Sequence, residues 1–256
     1  MSLFDLSDKV AVITGSTKGI GKAIAEEMAM HGAKVVISSR KADVCDAVAA
    51  EIKVAGGEAM AIPCNISDKA QLENLMAETR KAWGRIDVMV CNAAANPHFG
   101  PAMAIPDSAF EKVMDNNIKS NHWIAQMVGP EMAKRKDGAI IIVSSIGGLR
   151  GTALLGAYAI SKAADMQMAR NLACELGPSN VRVNCIAPGL VKTDFARELW
   201  QTPARAESRI AETPLRRLGE PRDIAGIAIY LASEAGAWTT GQTFVIDGGV
   251  VSMGSG

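Results

Sequence analysis

The sequence predicts a single-domain α/β fold: a doubly wound, seven-stranded parallel sheet with helices on both faces. Three observations support this prediction. Short β-branched runs alternate with longer helical patterns, the runs are continuously apolar as strands covered on both faces require, and no repeat or linker divides the 256 residues. We therefore expect one domain over residues 1–256.

The predicted elements follow one another in strict alternation. Strands are predicted at 9–15, 34–39, 59–64, 86–93, 138–145, 181–187 and 243–249, and helices at 20–31, 42–55, 68–83, 154–177 and 221–233. Residues 189–217 interrupt this pattern with two prolines and mixed charges directly after a predicted strand. Because ligands bind at the carboxyl ends of parallel strands, we predict that 189–217 is a substrate lid; a solvated pair of surface helices is the alternative.

Charge and composition argue against several classes of function. The chain has 27 basic and 27 acidic residues, so no net field attracts a nucleic acid or an anionic membrane. Its 5 cysteines form no C-x-x-C pair and its 3 histidines have no metal-like spacing, so we predict buried free thiols and no metal site. No signal-peptide pattern or membrane-length apolar run is present, which favours a cytoplasmic location.

A glycine-rich turn, "TGSTKGIG" at 14–21, joins the first predicted strand to the first helix. Glycine permits a tight turn there and lets backbone N–H groups approach a pyrophosphate at the helix N-terminus. This context predicts a dinucleotide-binding Rossmann fold, with a purely structural turn as the alternative. The predicted cofactor contacts in the turn are Gly15, Ser16, Thr17, Lys18, Gly19 and Ile20.

The end of the second predicted strand indicates which dinucleotide binds. A site for NAD usually places a carboxylate there, but this chain has Ser39, Arg40 and Lys41. An arginine can bind a 2′-phosphate through two hydrogen bonds, and Lys18 could add a second positive charge. We therefore predict NADP, with NAD less favoured; the alternative is that Arg40 and Lys41 are simply a solvated helix start.

Tyr158 and Lys162 are spaced i, i+4 in a predicted helix, so their side chains should share one face. A phenol normally loses its proton near pH 10, and a nearby ammonium lowers that pKa by about 1 to 3 units. We predict that Lys162 lowers the pKa of Tyr158, which then acts as a general acid or base. Ser144 and Ser145 follow the fifth strand, where a hydroxyl could hold a carbonyl oxygen beside the phenol.

Over nearly its whole length the chain resembles the classical short-chain dehydrogenase/reductase family. "TGSTKGIG", "CNAAA", "NNI", "VSS", "YAISK" and "APGLVKT" stand in the family's order and spacing. The resemblance implies that Tyr158 is the acid/base, that Lys162 contacts Tyr158 and the nicotinamide ribose, that Ser145 polarises the carbonyl and that Asn117 holds a water for proton relay. It also implies a homotetramer, paired through the C-terminal strand in "TGQTFVIDGG".

The resemblance implies further cofactor contacts at Asn65, Ile66, Asn92, Ala93, Ala94, Pro188, Gly189, Val191 and Thr193. Two positions depart from the family pattern. Ala94 stands where the family usually has glycine, and Asn65 stands where an aspartate usually follows the third strand. Asn65 could still accept a hydrogen bond from the adenine amino group. Neither change removes a proton-transfer group, so we expect them to affect cofactor affinity and not the reaction.

Two stretches, 92–100 and 187–200, further resemble the carbonyl-reductase branch near the mammalian NADPH-dependent retinal and diketone reductases. An apolar stripe in the predicted lid favours an apolar carbonyl substrate, although core packing would explain the stripe equally well. His98 could line the pocket or be an ordinary loop residue. The candidate substrate contacts are His98, Phe99, Ser145, Phe195, Leu199 and Trp200.

These observations predict an NADP(H)-dependent oxidoreductase acting on a carbonyl or secondary alcohol. One alternative is a reductase of 3-oxoacyl groups on an acyl carrier protein, whose acidic surface would need a basic patch such as Arg135 and Lys136. A second alternative, from another class, is a regulator that senses dinucleotides without catalysis. It is less favoured because the four candidate catalytic residues are all present. These are Asn117, Ser145, Tyr158 and Lys162.

Overall fold

The computed structural model describes residues 2–252; Met1 and residues 253–256 of the predicted domain lie outside the described residues. Seven parallel strands form one sheet in the order β3-β2-β1-β4-β5-β6-β7, which confirms the predicted Rossmann-like α/β fold. The strands are β1 (Val10–Thr14), β2 (Lys34–Ser38), β3 (Glu58–Ala61), β4 (Val88–Cys91), β5 (Gly138–Val143), β6 (Val181–Pro188) and β7 (Thr243–Ile246).

Helices cover both faces of the sheet. They are α1 (Gly19–Met30), α2 (Ala42–Val54), α3 (Lys69–Trp83), α4 (Asp107–Met114), α5 (Ser120–Arg135), α6 (Gly156–Leu176), α7 (Pro203–Ala211) and α8 (Pro221–Ala232). Helices α1, α2 and α8 pack on one face, and α3, α5 and α6 on the other. Val12 and Ile13 are adjacent in β1, yet they lie in opposite cores, which explains why the central strands have runs of consecutive apolar residues.

The strand order reverses beside β1. The chain passes from β1 to β2 on one side and later returns to place β4 on the other, so the connections after β1 and β4 lead away from each other. A cleft opens at the carboxyl ends of these strands, where ligands bind in doubly wound sheets. The glycine turn after β1 and the serines after β5 both lie along this edge of the sheet.

The structure departs from the predicted boundaries mainly at the cleft. Strands β3 and β7 each end three residues earlier than predicted, and β4 ends two residues earlier. At these points the chain turns away into the loops that line the cleft. Residues 189–217 contain a short turn at Arg197–Leu199 and the single helix α7.

Two further expectations concern the burial of the cysteines and the absence of a membrane-spanning segment. Cys45, Cys64, Cys91 and Cys185 are buried free thiols, but Cys174 is exposed on α6, so the prediction of buried thiols is wrong for that residue. Within residues 2–252, none of the helices has both the length and the apolar character needed to cross a bilayer.

Candidate active site

The glycine turn has the backbone geometry that a diphosphate needs. Gly15 and Gly19 have φ of +66° and +57°, a left-handed conformation that favours glycine. A Cβ on Gly21 would collide with the carbonyl oxygen of Gly15. In the described part of the chain no side chain caps α1 and no acidic residue lies in its first turn. The N–H groups at this helix N-terminus therefore remain available to an anion, so the turn fits a dinucleotide.

Ser16 has a different position from the one predicted. Its side chain is buried; its hydroxyl donates to the Ile13 carbonyl at 2.7 Å and accepts from the Ser38 N–H at 2.9 Å. Ser16 therefore connects the ends of β1 and β2, and its own N–H also donates to the Ser38 carbonyl at 3.1 Å. Thr17 is half-buried, and Ile20 packs against the core beneath the turn.

The loop after β4 is fastened to the end of β1. The Asn92 and Ala93 N–H groups both donate to the Thr14 hydroxyl at 3.1 Å, and the Asn92 amide donates to the Thr14 carbonyl at 2.9 Å. A Cβ on Gly15 would lie 3.1 Å from the Ala93 Cα. The loop and the turn therefore form one wall of the cleft, in which Ala93 and the half-buried Ala94 are the residues nearest to the opening.

The predicted adenine contact is already occupied by a residue of the chain. The Asn65 side-chain oxygen accepts from the Ser67 N–H at 3.3 Å and lies 3.0 Å from the Ser67 hydroxyl. An adenine amino group would have to compete with Ser67 for this oxygen. Ile66 is buried beside it.

The residues predicted to bind the 2′-phosphate differ in their present partners. Arg40 and Lys41 are exposed, and across residues 2–252 their side chains form no salt bridge or hydrogen bond. Lys18, by contrast, pairs with Asp194, with 3.0 Å between Nζ and Oδ2, and both side chains are exposed. Part of the positive charge predicted for Lys18 is therefore offset by a residue of the predicted lid. Ser39 is half-buried, and its N–H donates to the Cys45 sulfur at 3.2 Å.

The segment after β6 lies over the glycine turn. A Cβ on Gly19 would stand 3.0 Å from the Thr193 methyl carbon. Val191 is buried and pairs with Gly219 in an isolated parallel bridge. Gly189, which follows Pro188 at the end of β6, packs so closely that a Cβ there would lie 2.7 Å from the Asp247 Cα. The second wall of the cofactor cleft is thus held by backbone contacts.

Helix α6 brings Tyr158 and Lys162 together. The Lys162 Nζ lies 5.6 Å from the centre of the Tyr158 ring. Lys162 is only 2% exposed, and its ammonium donates to the Val143 carbonyl at the end of β5 and to Asp165 Oδ2, both at 2.9 Å. An ammonium has three N–H donors, so one remains for a group in the cleft.

The prediction that Lys162 makes the phenol unusually acidic is wrong for the protein without a bound cofactor. Burial raises the pKa of Tyr158, and this effect outweighs the opposite effects of the Lys162 charge and the Ser145 hydroxyl. The negative charge of Asp165 acts in the same direction as burial. Tyr158 is therefore a neutral phenol at pH 7.

The two serines after β5 have separate positions. The Ser144 hydroxyl is buried and donates to the Lys162 carbonyl at 2.7 Å, which ties β5 to α6. The Ser145 hydroxyl accepts from the Gly147 N–H at 3.0 Å, so its own proton remains free to donate. Gly148 allows the close approach of this turn to α6, since a Cβ there would lie 2.6 Å from the Lys162 carbonyl carbon.

Asn117 lies in a π-helical turn, Asp115–Lys119, between α4 and α5. Its side chain is buried, with the amide nitrogen donating to the Ala95 carbonyl at 3.0 Å and to the Ser161 hydroxyl at 2.9 Å. The amide oxygen accepts from the Ala95 N–H at 2.8 Å. Asn117 therefore joins the loop after β4 to α6. Both side-chain donors are used, so a relay water would have to bind elsewhere on this residue.

Two residues near the site were missed by the sequence reasoning. Asp165 contacts Lys162, and the Asn121 amide donates to Asp165 Oδ1 at 3.0 Å and to the Asn117 carbonyl at 2.7 Å. The available signal was an aspartate three residues after Lys162 within a mostly small and apolar helix, but its burial could not be read from the sequence.

The predicted substrate residues separate into two groups. A cleft of about 320 Å³ lies between α7 and two loops, and Phe99, Leu154 and Leu199 supply its apolar lining. The Phe195 ring lies 5.8 Å from the Tyr158 ring, which connects the predicted lid to the catalytic residues.

His98 and Trp200 do not line this cleft. The His98 ring lies 2.8 Å from the position of a Cβ on Gly100, and its Nε2 is buried without a hydrogen-bond partner in the described residues. The Trp200 indole donates to the Thr193 carbonyl at 3.3 Å, which holds Trp200 against the segment after β6. Residues 2–252 contain no cluster of three or more His, Cys, Asp or Glu side chains that could hold a metal.

The fold is that of a Rossmann-like α/β protein, with a glycine turn after β1 and with Tyr158 and Lys162 together on α6. The family described as "Enoyl-(Acyl carrier protein) reductase" matches residues 15–251. "Dehydrogenase/reductase SDR family member 4" of Bos taurus is 44% identical over 247 residues, covering 96% of this chain and 88% of that protein. The chain belongs to the short-chain dehydrogenase/reductase family of oxidoreductases.

Solved structures agree with this assignment. A 7α-hydroxysteroid dehydrogenase in complex with NADH and 7-oxo glycochenodeoxycholic acid superposes with a TM-score of 0.92 at 37% identity, covering 96% of this chain and 95% of that one. A gluconate 5-dehydrogenase from Burkholderia cenocepacia, in complex with NADP and tartrate, has a TM-score of 0.93 at 29% identity and covers 98% of both chains.

Proposed function

We propose that the protein is an NADP(H)-dependent reductase that transfers hydride between nicotinamide and the carbonyl or secondary-alcohol carbon of a mainly apolar substrate. One arrangement carries the proposal: Tyr158 lies on α6 beside the Lys162 ammonium, with the Ser145 hydroxyl near it and the Phe195 ring against it. Substrates of this kind, ketones, diketones or aldehydes, suit the apolar part of the cleft lining, which comes from Phe99, Leu154 and Leu199. The rest of the lining is mostly polar, from Glu198, Arg205, Ser208, Arg209 and Glu212, so a polar group on the substrate could also be accommodated.

The side chains supply the proton and hold the carbonyl. A bound nicotinamide would supply the hydride. The Ser145 oxygen already accepts from the Gly147 N–H, so its hydroxyl can donate a hydrogen bond to the substrate oxygen and polarise the carbonyl. Tyr158 is neutral at pH 7 because burial raises its pKa, so it is a proton donor as it stands. Lys162 offers its third N–H to the ribose or the phenol, and Asn117 fixes the loop that faces them.

NADP is the proposed cofactor because of the charge at the end of β2. Gly15, Gly19 and the uncapped N-terminus of α1 would hold the diphosphate, whichever dinucleotide binds. Arg40 and Lys41 are exposed and uncommitted, so they are free to pair with a 2′-phosphate. The solved relatives include complexes with both NADH and NADP, so the preference is argued from these two side chains.

The acyl-carrier alternative is less well supported. The Arg135 guanidinium donates to the Ile86 carbonyl at 2.6 Å and lies 3.7 Å from Asp87, just before β4. This is the amino end of the sheet, opposite the cleft. Arg135 therefore offers no landing charge at the entrance, and Lys136 adjoins it at the end of α5. The regulator alternative is opposed by the contacts that fix Ser144, Ser145 and Lys162 together.

Assembly and location remain part of the proposal. β7 is an edge strand whose residues are half-buried or exposed, which supports pairing of subunits through this edge in a homotetramer. A cytoplasmic location is supported by five free cysteines among the described residues.

The test is Tyr158→Phe, which removes the hydroxyl and keeps the ring. We expect the variant to bind NADPH nearly as well as the parent and to lose at least about 100-fold in turnover. The assay is NADPH and NADH oxidation with aryl ketones, diketones, retinal, steroids and 3-oxoacyl thioesters. Tyr230→Phe is the matched control, because Tyr230 is bonded to Thr239 at 2.8 Å, away from the cleft, and should retain activity. A fully active Tyr158→Phe variant would refute the mechanism.

A further inference from the structure

Asp165 is a buried charge that the mechanism above does not use. It lies on α6 with 0% of its side chain exposed, and Lys162 beside it is 2% exposed. The free-energy cost of removing two charges from water often exceeds the attraction between them, and apolar residues of similar size would pack there at lower cost. Stability therefore does not account for the carboxylate, and its position beside Lys162 indicates a role in the site.

The carboxylate is held at both of its oxygens. Oδ2 accepts from the Lys162 ammonium at 2.9 Å, and Oδ1 accepts from the Asn121 amide at 3.0 Å. The same Asn121 nitrogen lies 2.7 Å from the Asn117 carbonyl oxygen. Burial raises the pKa of Asp165, and the Lys162 ammonium and the Asn121 amide act in the opposite direction by stabilising the anion. Asp165 thus links Lys162 on α6 to Asn117 in the π-helical turn.

Within residues 2–252, the groups that face this pair from the neighbouring strands are uncharged thiols. Cys185 on β6 lies against Asp165, with 3.4 Å between its sulfur and the Asp165 carbonyl oxygen, and Cys91 on β4 lies nearby. Burial raises the pKa of both thiols far above neutrality, so they stay uncharged. The charges close to the Tyr158 phenol are therefore the Lys162 ammonium and the Asp165 carboxylate.

We propose that Asp165 is a positioning residue of the active site: it holds the Lys162 ammonium and offsets part of its charge, and it thereby favours the protonated form of Tyr158 as the proton donor. The proposal rests on the proposed role of Tyr158 as the acid. A phenolate is favoured by a nearby cation and disfavoured by a nearby anion. With Asp165 present, part of the stabilisation that the Lys162 ammonium gives a phenolate is offset, because the carboxylate charge acts on the phenol in the opposite direction.

Removal of the carboxylate charge leaves Lys162 as a net positive charge beside the phenol. Asp165→Asn keeps the shape and an oxygen that can accept from Lys162, so the ammonium retains acceptors on two sides. Tyr158 should then lose its proton at a lower pH than in the parent, by about 1 unit or more.

The chain allows this shift to be measured directly, because it has only 2 tyrosines. In a Tyr230→Phe background, Tyr158 is the sole tyrosine, and the ultraviolet absorbance of tyrosinate reports its titration without substrate or cofactor. Asp165→Asn should move this titration to lower pH. The matched control is Asp137→Asn, the same change in a carboxylate that pairs with Lys9 at 2.8 Å at the amino end of the sheet. This control should not move the Tyr158 titration.

A second readout is the pH dependence of kcat/KM for alcohol oxidation, in which the phenolate is the base. Its acidic limb should move to lower pH in Asp165→Asn by the same amount as the tyrosinate titration. Asn121→Ala keeps both charges and removes only the two hydrogen bonds of the Asn121 amide, so it should produce no such shift. A merely structural Asp165 would lower stability in both variants without moving either pH profile.

The outcomes distinguish this proposal from the proposed function. A shifted tyrosinate titration in a protein without oxidoreductase activity would support the proposed role of Asp165 and refute the proposed enzymatic function. An active, Tyr158-dependent enzyme in which neither profile moves would overturn the role of Asp165. If Asp165→Asn does not fold, Asp165→Ser replaces it. The Tyr230→Phe parent also decides independently, since a Tyr158 titration well below the usual pH of about 10 would overturn the proposal by itself.

Discussion

At the proposed catalytic end of the cleft, Lys162 and Asp165 are buried and each is bonded to other groups of the protein. At the proposed adenosine end, Arg40 and Lys41 are exposed and make no side-chain contacts with charged partners in the part of the chain that the structure describes. Both ends rely on positive charge, but only the first surrounds that charge with partners before any ligand arrives.

The difference separates two requirements of the site. Proton transfer needs groups held in fixed positions and at a fixed proton affinity, which burial and hydrogen bonds provide at a cost in stability. Discrimination between two dinucleotides needs only a charge that meets a phosphate when it binds, and solvent can hold that charge until then. Substitutions at the catalytic end should therefore affect folding and activity together, and those at the adenosine end should affect cofactor choice alone.

The largest expected effect is that of Lys162→Met. This change leaves the Asp165 carboxylate buried without its cation, so we expect the free energy of unfolding to fall by about 3 to 5 kcal/mol at neutral pH. Burial already raises the pKa of Asp165 in the folded state. Loss of Lys162 raises this folded-state pKa further and leaves the pKa in the unfolded chain unchanged. The loss should thus be small below about pH 4, the unfolded value, and grow as the pH rises through the folded pKa.

Urea unfolding at several pH values measures this effect. The double variant Lys162→Met with Asp165→Asn removes both charges and should recover a large part of the lost stability at neutral pH. Equal stabilities of the single and double variants would mean that the pair is not electrostatically coupled, and the contrast between the two ends of the cleft would fail.

An intermediate effect is expected from Gly148→Ala. The new Cβ would lie 2.6 Å from the backbone of Lys162 and Ala163, so β5 and α6 must move apart, at a cost of about 1 to 3 kcal/mol and with lower turnover. Gly151→Ala is the control three residues later, because a Cβ there meets nothing within 4 Å. Thermal unfolding and the reductase assay compare the two. A Gly148→Ala variant as stable and active as Gly151→Ala would contradict this packing.

The smallest effect on stability is expected from Arg40→Asp. Because Arg40 is exposed, the free energy of unfolding should change by no more than about 0.5 kcal/mol. The ratio of kcat/KM for NADPH to that for NADH should fall by about 10- to 100-fold, the value of a charge-assisted contact to the 2′-phosphate. Lys53→Asp, an exposed charge reversal in the last turn of α2, should leave the ratio unchanged. An unchanged ratio in Arg40→Asp would place the phosphate contact elsewhere.

The sequence was informative wherever a local pattern has one structural solution. Continuous apolar runs predicted the buried parallel strands, and the glycines predicted the left-handed turn at Gly15 and Gly19. The spacing of Tyr158 and Lys162 predicted a shared helix face. Each of these inferences depends on contacts within a few residues, so no knowledge of distant elements was needed.

The errors arose where distant elements decide. The sequence could not show that Ser16 turns into the core, that Lys18 pairs with Asp194, or that Arg135 lies at the far end of the sheet. The prediction of an acidic Tyr158 considered one neighbour on the same helix and omitted burial, which has the larger effect.

The amino-acid sequence by itself determined the fold class, the family and the set of groups available for chemistry, because these follow from periodicity, glycine positions and ordered motifs. Only the tertiary structure decided the state of those groups: that Tyr158 is a neutral phenol, that Asp165 balances Lys162, and which polar side chains are already bonded. The physical reason is that proton affinity depends on burial and on charges a few ångströms away. Those surroundings come from β4, β5, β6 and α5, and only the folded chain brings these separate elements against α6.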